Sequence, residues 1–357
     1  MKVVFIQPNI PKYRVAFYNA LSQVNGLVLK VYASKGKLGL LTSSESEQQW
    51  ASVKGEYKTL LGVDWQQNII GLSLEHVDVL ILCGNPRNLP IIVLSIRARL
   101  KGVKCVWWGH FRSVSTKNWR ARIRYLLYKI PNNICFYSDS ELAIAKKRLR
   151  HLSLNLFSIS NGIDVDEIAR YREKYIGLIR TKRLIFVGRM IERSRLDLVI
   201  NALADIDDHS LKLDIVGDGP KRSDFEKQVK KLDLCDSVTF HGAIVDEEQL
   251  SAIFNRASVF VSGDCVGLSL IHALAYGVPV IVNANRKTQG PEADVLLLAD
   301  MALYHSGNSA SIALQVKFLI DNIALRERFS MQALKTLEVH HNTRVMSKRC
   351  MEMIKKL

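Results

Sequence analysis

Two rhythms of apolar residues alternate along this chain. Short runs rich in Val, Ile, Leu and Phe recur at KVVFIQ (2–7), LVLKVYA (27–33), VDVLILCG (77–84), VKCVWWG (103–109), NICFYS (133–138) and LNLFSIS (154–160). Between them, apolar residues fall at helical spacing. Runs of this length with little polar alternation predict strands covered on both faces, and their alternation with helices predicts a doubly wound parallel sheet. The series then restarts at RLIFVG (183–188), LKLDIVG (211–217), SVTFHG (237–242), SVFVSG (258–263) and PVIVNA (279–284). The interruption, NGIDVDEIARYREKYIGLIRTK, opens on an Asn161-Gly162 turn and holds no strand-like run.

The expected fold class is therefore α/β, with two Rossmann-like doubly wound parallel-sheet domains. The first spans 1–160, a linker spans 161–181, and the second spans 182–339. A final helix at about 340–357 can pack back on the first domain. A chain of 357 residues suits two domains. Ligands in such sheets bind at the carboxyl ends of the strands, so two facing domains would define one cleft.

Composition narrows the class. Hydrophobic residues make up 48% and charged residues 24%, as in ordinary globular proteins. No run approaches the roughly 18 apolar residues of a membrane span, and MKVVFIQPNI is too short for a signal peptide, so a cytoplasmic location is expected. The six cysteines form no C-x-x-C pair and read as buried thiols. Net charge is +16, unevenly spread. Residues 1–150 carry 23 Lys and Arg against 8 Asp and Glu, whereas residues 201–300 carry 9 against 16. A basic half can meet nucleic acid, an anionic membrane or a phosphorylated substrate. The stretch KNWRARIRYLLYKI (117–130) sets Trp119, Ile123, Leu126, Leu127 and Ile130 on one helical face among Lys and Arg. It is a candidate for peripheral contact with an anionic membrane, which would place the chain at the inner face of the plasma membrane.

Candidate chemistry gathers in the second half. In VFVSGDCVGLSLIHALAYGVPVIVN (259–283) a helix opens on Gly267, Leu268 and Ser269, whose free N–H groups and missing side chain suit an anion. Asp264 precedes that opening and His272 lies one turn inside. FVGRMIERSR sets Gly188 and Arg189 after a strand and adds Arg193 and Arg195, and a guanidinium fork suits phosphate oxygens. Gly217 and Gly242 end further strands. Neither a Walker loop nor G-x-G-x-x-G is present, and no D-x-D lies in a plausible loop, since Asp164-Val165-Asp166 belongs to the linker. No metal and no cofactor are expected.

FVGRM, DIVGDGP, VTFHGAIVDEEQLSAIF, GLSLIHALAYGVPVIV and SNGID together resemble the family 4 retaining glycosyltransferases, which have the GT-B architecture. The resemblance is specific over 158–284 and looser before it, through the fold pattern and WWGH. It implies that the segment 264–277 holds a nucleotide sugar, with an E-x7-E pair on the sugar and ribose and backbone N–H groups on the diphosphate. Here that pair is Asp264 and His272, and the phosphate-binding lysine falls at Ser194, leaving Arg193 or Arg195 to replace it. A compensating acid is Glu292 in QGPE. The resemblance also implies that His110, ending VKCVWWGH, acts near the anomeric carbon. The loop PNIPKYR offers Lys12, Tyr13 and Arg14 for acceptor or phosphate.

The expected activity is retaining transfer of a hexosyl-type sugar from a UDP or GDP sugar to a glycan or lipid-linked glycan, in cell-surface polysaccharide synthesis. A nucleotide-sugar epimerase, a catalytically silent relative and a nucleic-acid binder are the alternatives. No recognised nucleic-acid motif is present, so no nucleic-acid partner is expected.

Overall fold

A computed structural model describes residues 1–35, 48–111 and 118–357, apart from the side chains of 118–120. The chain divides into two compact units, Met1–Asn161 with Thr343–Leu357, and Gly162–Asn342.

The first unit is built on one sheet whose strands are β1 (Lys2–Ile6), β2 (Val28–Lys35), β3 (Ala51–Leu60), β4 (Val63–Gln66), β5 (Val79–Cys83), β6 (Lys104–Trp108), β7 (Asn133–Phe136) and β8 (Asn155–Ser158). Their order is β4-β3-β2-β1-β5-β6-β7-β8. All pairs are parallel except β3 with β4. The inner strands are covered on both faces, which is why they read as unbroken apolar runs. Helices α1 (Lys12–Ser22), α2 (Leu89–Leu100), α3 (Asn118–Leu127) and α4 (Asp139–Arg148) connect them.

The second unit carries β9 (Arg183–Val187), β10 (Lys212–Val216), β11 (Val238–Gly242), β12 (Val259–Val261), β13 (Val280–Asn283) and β14 (Ala302–His305). Their order, β11-β10-β9-β12-β13-β14, is that of a doubly wound sheet whose chain reverses direction between β9 and β12. The helices are α5 (Val165–Tyr171), α6 (Leu196–Ile206), α7 (Arg222–Lys231), α8 (Glu247–Phe254), α9 (Leu268–Ala275), α10 (Ser309–Asp321) and α11 (Ile323–Val339). The last helix, α12 (Thr343–Lys355), buries Met346, Cys350, Met353 and Ile354 in the core of the first unit, at spacings that line one helical face.

One expectation needs correction. Residues 161–181 are not a bare linker: Asp164 caps α5 by accepting from the N–H groups of Asp166 and Glu167, and Ile168 enters the core of the second unit. The hairpin β3–β4 and the strand β14 carry no apolar run long enough to announce them. In α3 Tyr125 stacks on Phe111, and Tyr128 just beyond the helix is buried, while Ile123 and Leu126 are exposed. Lys117 and the side chains of Trp119 and Arg120 lie outside the described residues.

Candidate donor site in the second unit

The loops that leave β9, β10 and β12 are joined backbone to backbone. Gly217 has φ +133°, and a Cβ there would fall 2.0 Å from the carbonyl oxygen of Gly188. Only glycine tolerates both demands. The Gly188 N–H donates to Val216 (3.0 Å), the Gly217 N–H to Gly242 (2.7 Å) and the Met190 N–H to Asp218 (2.9 Å). Gly263 meets the next loop as tightly, since its Cβ would lie 1.9 Å from the Arg195 carbonyl oxygen. Sequence reading passed over Gly263, although its place at the end of an apolar run is the same signal that marked Gly188 and Gly217.

Asp264 is anchored from the loop after β13. Its Oδ1 accepts from Asn283 Nδ2 (2.9 Å) and Thr288 Oγ1 (2.6 Å). Gln289 clamps the same turn, donating to the Asp264 and Asn283 carbonyls and accepting from the Val266 N–H. None of these partners was among the sequence candidates, because the contacts span 19 to 25 residues. Gly267 caps α9, placing Leu268 and Ser269 in its first turn, and the buried Glu292 carboxylate lies beside Gly267 and Gly290. Asp264, Gly267 and Glu292 are thus brought together at one helix N-terminus.

The three arginines separate. Arg189 is exposed and makes no side-chain hydrogen bond or ion pair among the described residues. Arg193 donates to the Thr288 carbonyl at 2.8 Å, tying it to the loop that holds Asp264. Arg195, in a left-handed conformation at φ 47°, forks onto Asp197 at 3.1 and 3.0 Å. Hydrogen bonding to that carboxylate raises the Arg195 pKa. Ser194 is buried and donates to the Ile191 carbonyl.

His272 stands apart from the Asp264 cluster. Its Nε2 lies 2.9 Å from Glu247 Oε1, which also accepts from the Tyr276 hydroxyl at 2.6 Å. The imidazole stacks with Phe254 and Tyr276 at interplanar angles of 16° and 15°. A carboxylate accepts only, so Nε2 is the donor of this pair. Nearby, His305 is buried, with its Nε2 on the Ser262 carbonyl (2.8 Å) and its Nδ1 accepting from the Gly307 N–H (3.0 Å). Burial holds its pKa below the ordinary histidine value.

The first unit places the remaining candidates. His110 follows β6, its ring 4.6 Å from that of Tyr137 and its Nδ1 3.5 Å from Glu141 Oε1. Lys12 is exposed at the start of α1. Arg14, expected to reach acceptor or phosphate, is buried instead: its guanidinium lies 4.8 Å from the Trp108 ring and donates to the Met346 sulfur. The planar cation prefers those aromatic faces to solvent.

Residues 172–336 match the family model described as glycosyl transferases group 1. The chain is 32% identical over 109 residues to an alpha-monoglucosyldiacylglycerol synthase of Streptococcus pneumoniae, covering 29% of this chain and 24% of that protein. It is 27% identical over 195 residues to a phosphatidyl-myo-inositol mannosyltransferase of Mycobacterium leprae, covering 51% and 49%. The chain thus spans half or less of the length of these curated relatives. The crystal structure of Anabaena HepE in complex with UDP matches all of both chains with a TM-score of 0.74 at 14% identity. Residues 172–336 are thus similar to the glycosyl transferases of group 1, in a chain with the GT-B fold of two Rossmann-like units.

Proposed function

We propose that this chain transfers a sugar from a nucleotide sugar to a glycan or lipid-linked glycan, with retention at the anomeric carbon, in the synthesis of cell-surface polysaccharide. The observation that carries this reading is the match to glycosyl transferases group 1 over 172–336, together with the gathering of Asp264, Gly267 and Glu292 at the start of α9. UDP bound to HepE favours a UDP sugar, and the lipid named in the two relatives favours a lipid-linked acceptor.

Departure of a nucleoside diphosphate builds negative charge on its β-phosphate. In this reading the first-turn N–H groups of Leu268 and Ser269, Arg189 and Arg193 receive that charge, while Arg195 is already neutralised by Asp197. Asp264, with Oδ1 fixed by Asn283 and Thr288, offers Oδ2 to a sugar hydroxyl. Glu292 supplies a second carboxylate beside Gly267. The resemblance assigns a catalytic role to His110, whose ring is set by Tyr137 and Glu141. Gly188, Gly217 and Gly242 shape the floor on which the nucleotide lies.

Thermal shift with UDP, GDP and ADP and their sugars tests the reading. A ligand at 100 times its Kd stabilises by about 2.7 kcal/mol. Absence of a shift with every nucleotide would sink it. A catalytically silent relative is the second reading, suggested by Asp264 and His272 standing where the resemblance implies two glutamates. Nucleotide-sugar binding without turnover on any lipid-linked or glycan acceptor would select that one.

A further inference from the structure

We propose that the first unit holds a soluble, phosphate-rich metabolite in a basic cavity at the amino ends of β6 and β7, at the opposite end of β6 from His110. This goes beyond the donor-site reading and does not depend on it. The cavity has a volume of about 630 Å³, within the range of small-molecule sites. Arg99, Lys104, Lys129 and His151 line it, and no carboxylate does. Strands β6 and β7 are parallel neighbours, so the turns that enter them, Gly102-Val103 and Pro131-Asn132, lie side by side and form its walls.

Local structure fixes that shape. Helix α2 closes at Leu100, and Gly102, with φ +70°, turns the chain into β6. The stretch after α3 turns into β7 at Asn132, whose φ of 60° asparagine tolerates better than most residues. Two side chains then lock the turns together. The buried Asn133 donates through Nδ2 to the Cys105 and Pro131 carbonyls at 2.9 and 3.2 Å, and its Oδ1 accepts from Asn155 at 2.8 Å. The Arg99 guanidinium donates to the Lys129 carbonyl at 2.6 Å.

The ordinary reason for cations at this end of the sheet is the negative partial charge where α2 and α3 stop, which basic side chains offset. Arg99 does so by covering the Lys129 carbonyl. Lys104, Lys129 and His151 do not: all three are exposed, and none makes a side-chain hydrogen bond or ion pair among the described residues. Asp78 is close, since its carbonyl accepts from the Lys104 N–H, yet its carboxylate takes the Lys2 N–H at 2.7 Å. The basic groups thus exceed what the helix ends require, and gathering them without an acid costs repulsion that a bound anion would remove.

The distribution of donors sets the class of that anion. Donors from four separate positions around one cavity suit the many oxygens of linked phosphates, whereas a lone carboxylate would reach only part of them. Val103, Ile130 and Leu152 add apolar surface for a small organic body attached to the phosphates. The ligand class is therefore a soluble metabolite with two or more phosphate groups.

Isothermal titration calorimetry with sodium pyrophosphate tests this, on the wild type and on Arg189→Ala, which impairs the other place expected to take a diphosphate. One site should persist in Arg189→Ala and weaken with added salt. It should bind pyrophosphate about tenfold more tightly than orthophosphate, which meets fewer of the cations. Lys104→Gln and Lys129→Gln should each weaken that site about tenfold (~1.4 kcal/mol). Lys230→Gln, at an exposed position of the second unit, should leave it unchanged. Pyrophosphate should also protect Lys104 and Lys129 from acetylation by a lysine-reactive ester, read by mass spectrometry. Circular dichroism melting checks that each variant is folded. The lysine variants leave the donor loops intact, so their outcome is separate from failure of the donor-site reading. Three results overturn the proposal: a wild-type chain that does not bind pyrophosphate, binding that is lost in Arg189→Ala but kept in both lysine variants, or acetylation of Lys104 and Lys129 that pyrophosphate does not slow.

Discussion

Arg189→Ala tests the donor site most cleanly, because the wild-type side chain is exposed and makes no side-chain hydrogen bond or ion pair among the described residues. Removing it leaves no buried group unpaired, so fold stability should change by less than about 0.5 kcal/mol. The whole effect then falls on the ligand. A hydrogen bond from a guanidinium to phosphate contributes about 1.5 to 3 kcal/mol, which corresponds to a loss of roughly 10- to 150-fold in UDP affinity. Arg195 supplies the internal control. Its fork is occupied by Asp197 at 3.0 and 3.1 Å on a solvent-exposed pair, so Arg195→Ala should cost under about 1 kcal/mol. Arg193→Ala should exceed Arg195→Ala, since it also frees the Thr288 carbonyl of the loop that fixes Asp264. Isothermal titration calorimetry at one ionic strength reads all three. Wild-type affinity in Arg189→Ala, or the largest loss in Arg195→Ala, would refute the assignment.

Asp264→Asn should weaken the intact nucleotide sugar by about 1.5 to 3 kcal/mol and leave the free nucleoside diphosphate nearly unchanged, as competition binding would reveal; equal losses would move Asp264 off the sugar. Gly217→Ala should lower unfolding free energy in urea by about 2 to 6 kcal/mol, combining a glycine-only φ with a clash against Gly188. Gly26→Ala, with φ +76° but nothing within 4 Å, should lose only about 1 to 3 kcal/mol, and a cost as large as that at Gly217 would discredit the clash. His305 has a folded-state pKa below its unfolded value of 6.5, so its stabilisation is complete above pH 6.5 and declines as pH falls through the folded pKa, where the unfolded chain binds the extra proton. His305→Asn should flatten that part of the stability profile, and an unchanged slope would show that other groups set it.

The parallel strands were legible because both of their faces are covered. KVVFI or VLILC has no polar alternation to confuse it with an amphipathic helix, and Gln7-Pro8 or Gly84 closes it at the carboxyl end. The hairpin β3–β4 failed on the same criterion. In ASVKGEYKTL the residues alternate between half-buried and exposed, with Lys54, Glu56 and Lys58 outward, as suits an edge that faces water. Its turn, Leu61-Gly62, lacks the Asn or Asp that marks a hairpin. Residues 161–181 misled for a different reason: without a strand they resembled a tether, yet a cap at Asp164 and one buried face suffice for a docked helix.

Side-chain partnership at the site was beyond the sequence, and the reason is distance along the chain. Motif spacing marked Asp264 and the arginines, but their states depend on Asn283, Thr288 and Asp197. Arg193 and Arg195 were indistinguishable as letters two positions apart. Backbone conformation separates them, because the left-handed turn at Arg195 lets its guanidinium fold back onto Asp197 while Arg193 reaches the next loop. The same holds for His272, which occupies a position where the resemblance implies a carboxylate. A carboxylate is nevertheless present 2.9 Å away, supplied by Glu247 from α8 and held there by both the imidazole and the Tyr276 hydroxyl. The substitution therefore changes which helix carries the acid rather than removing acid from that turn of α9. The loss of a glutamate at position 272 is thus smaller than its letter implies.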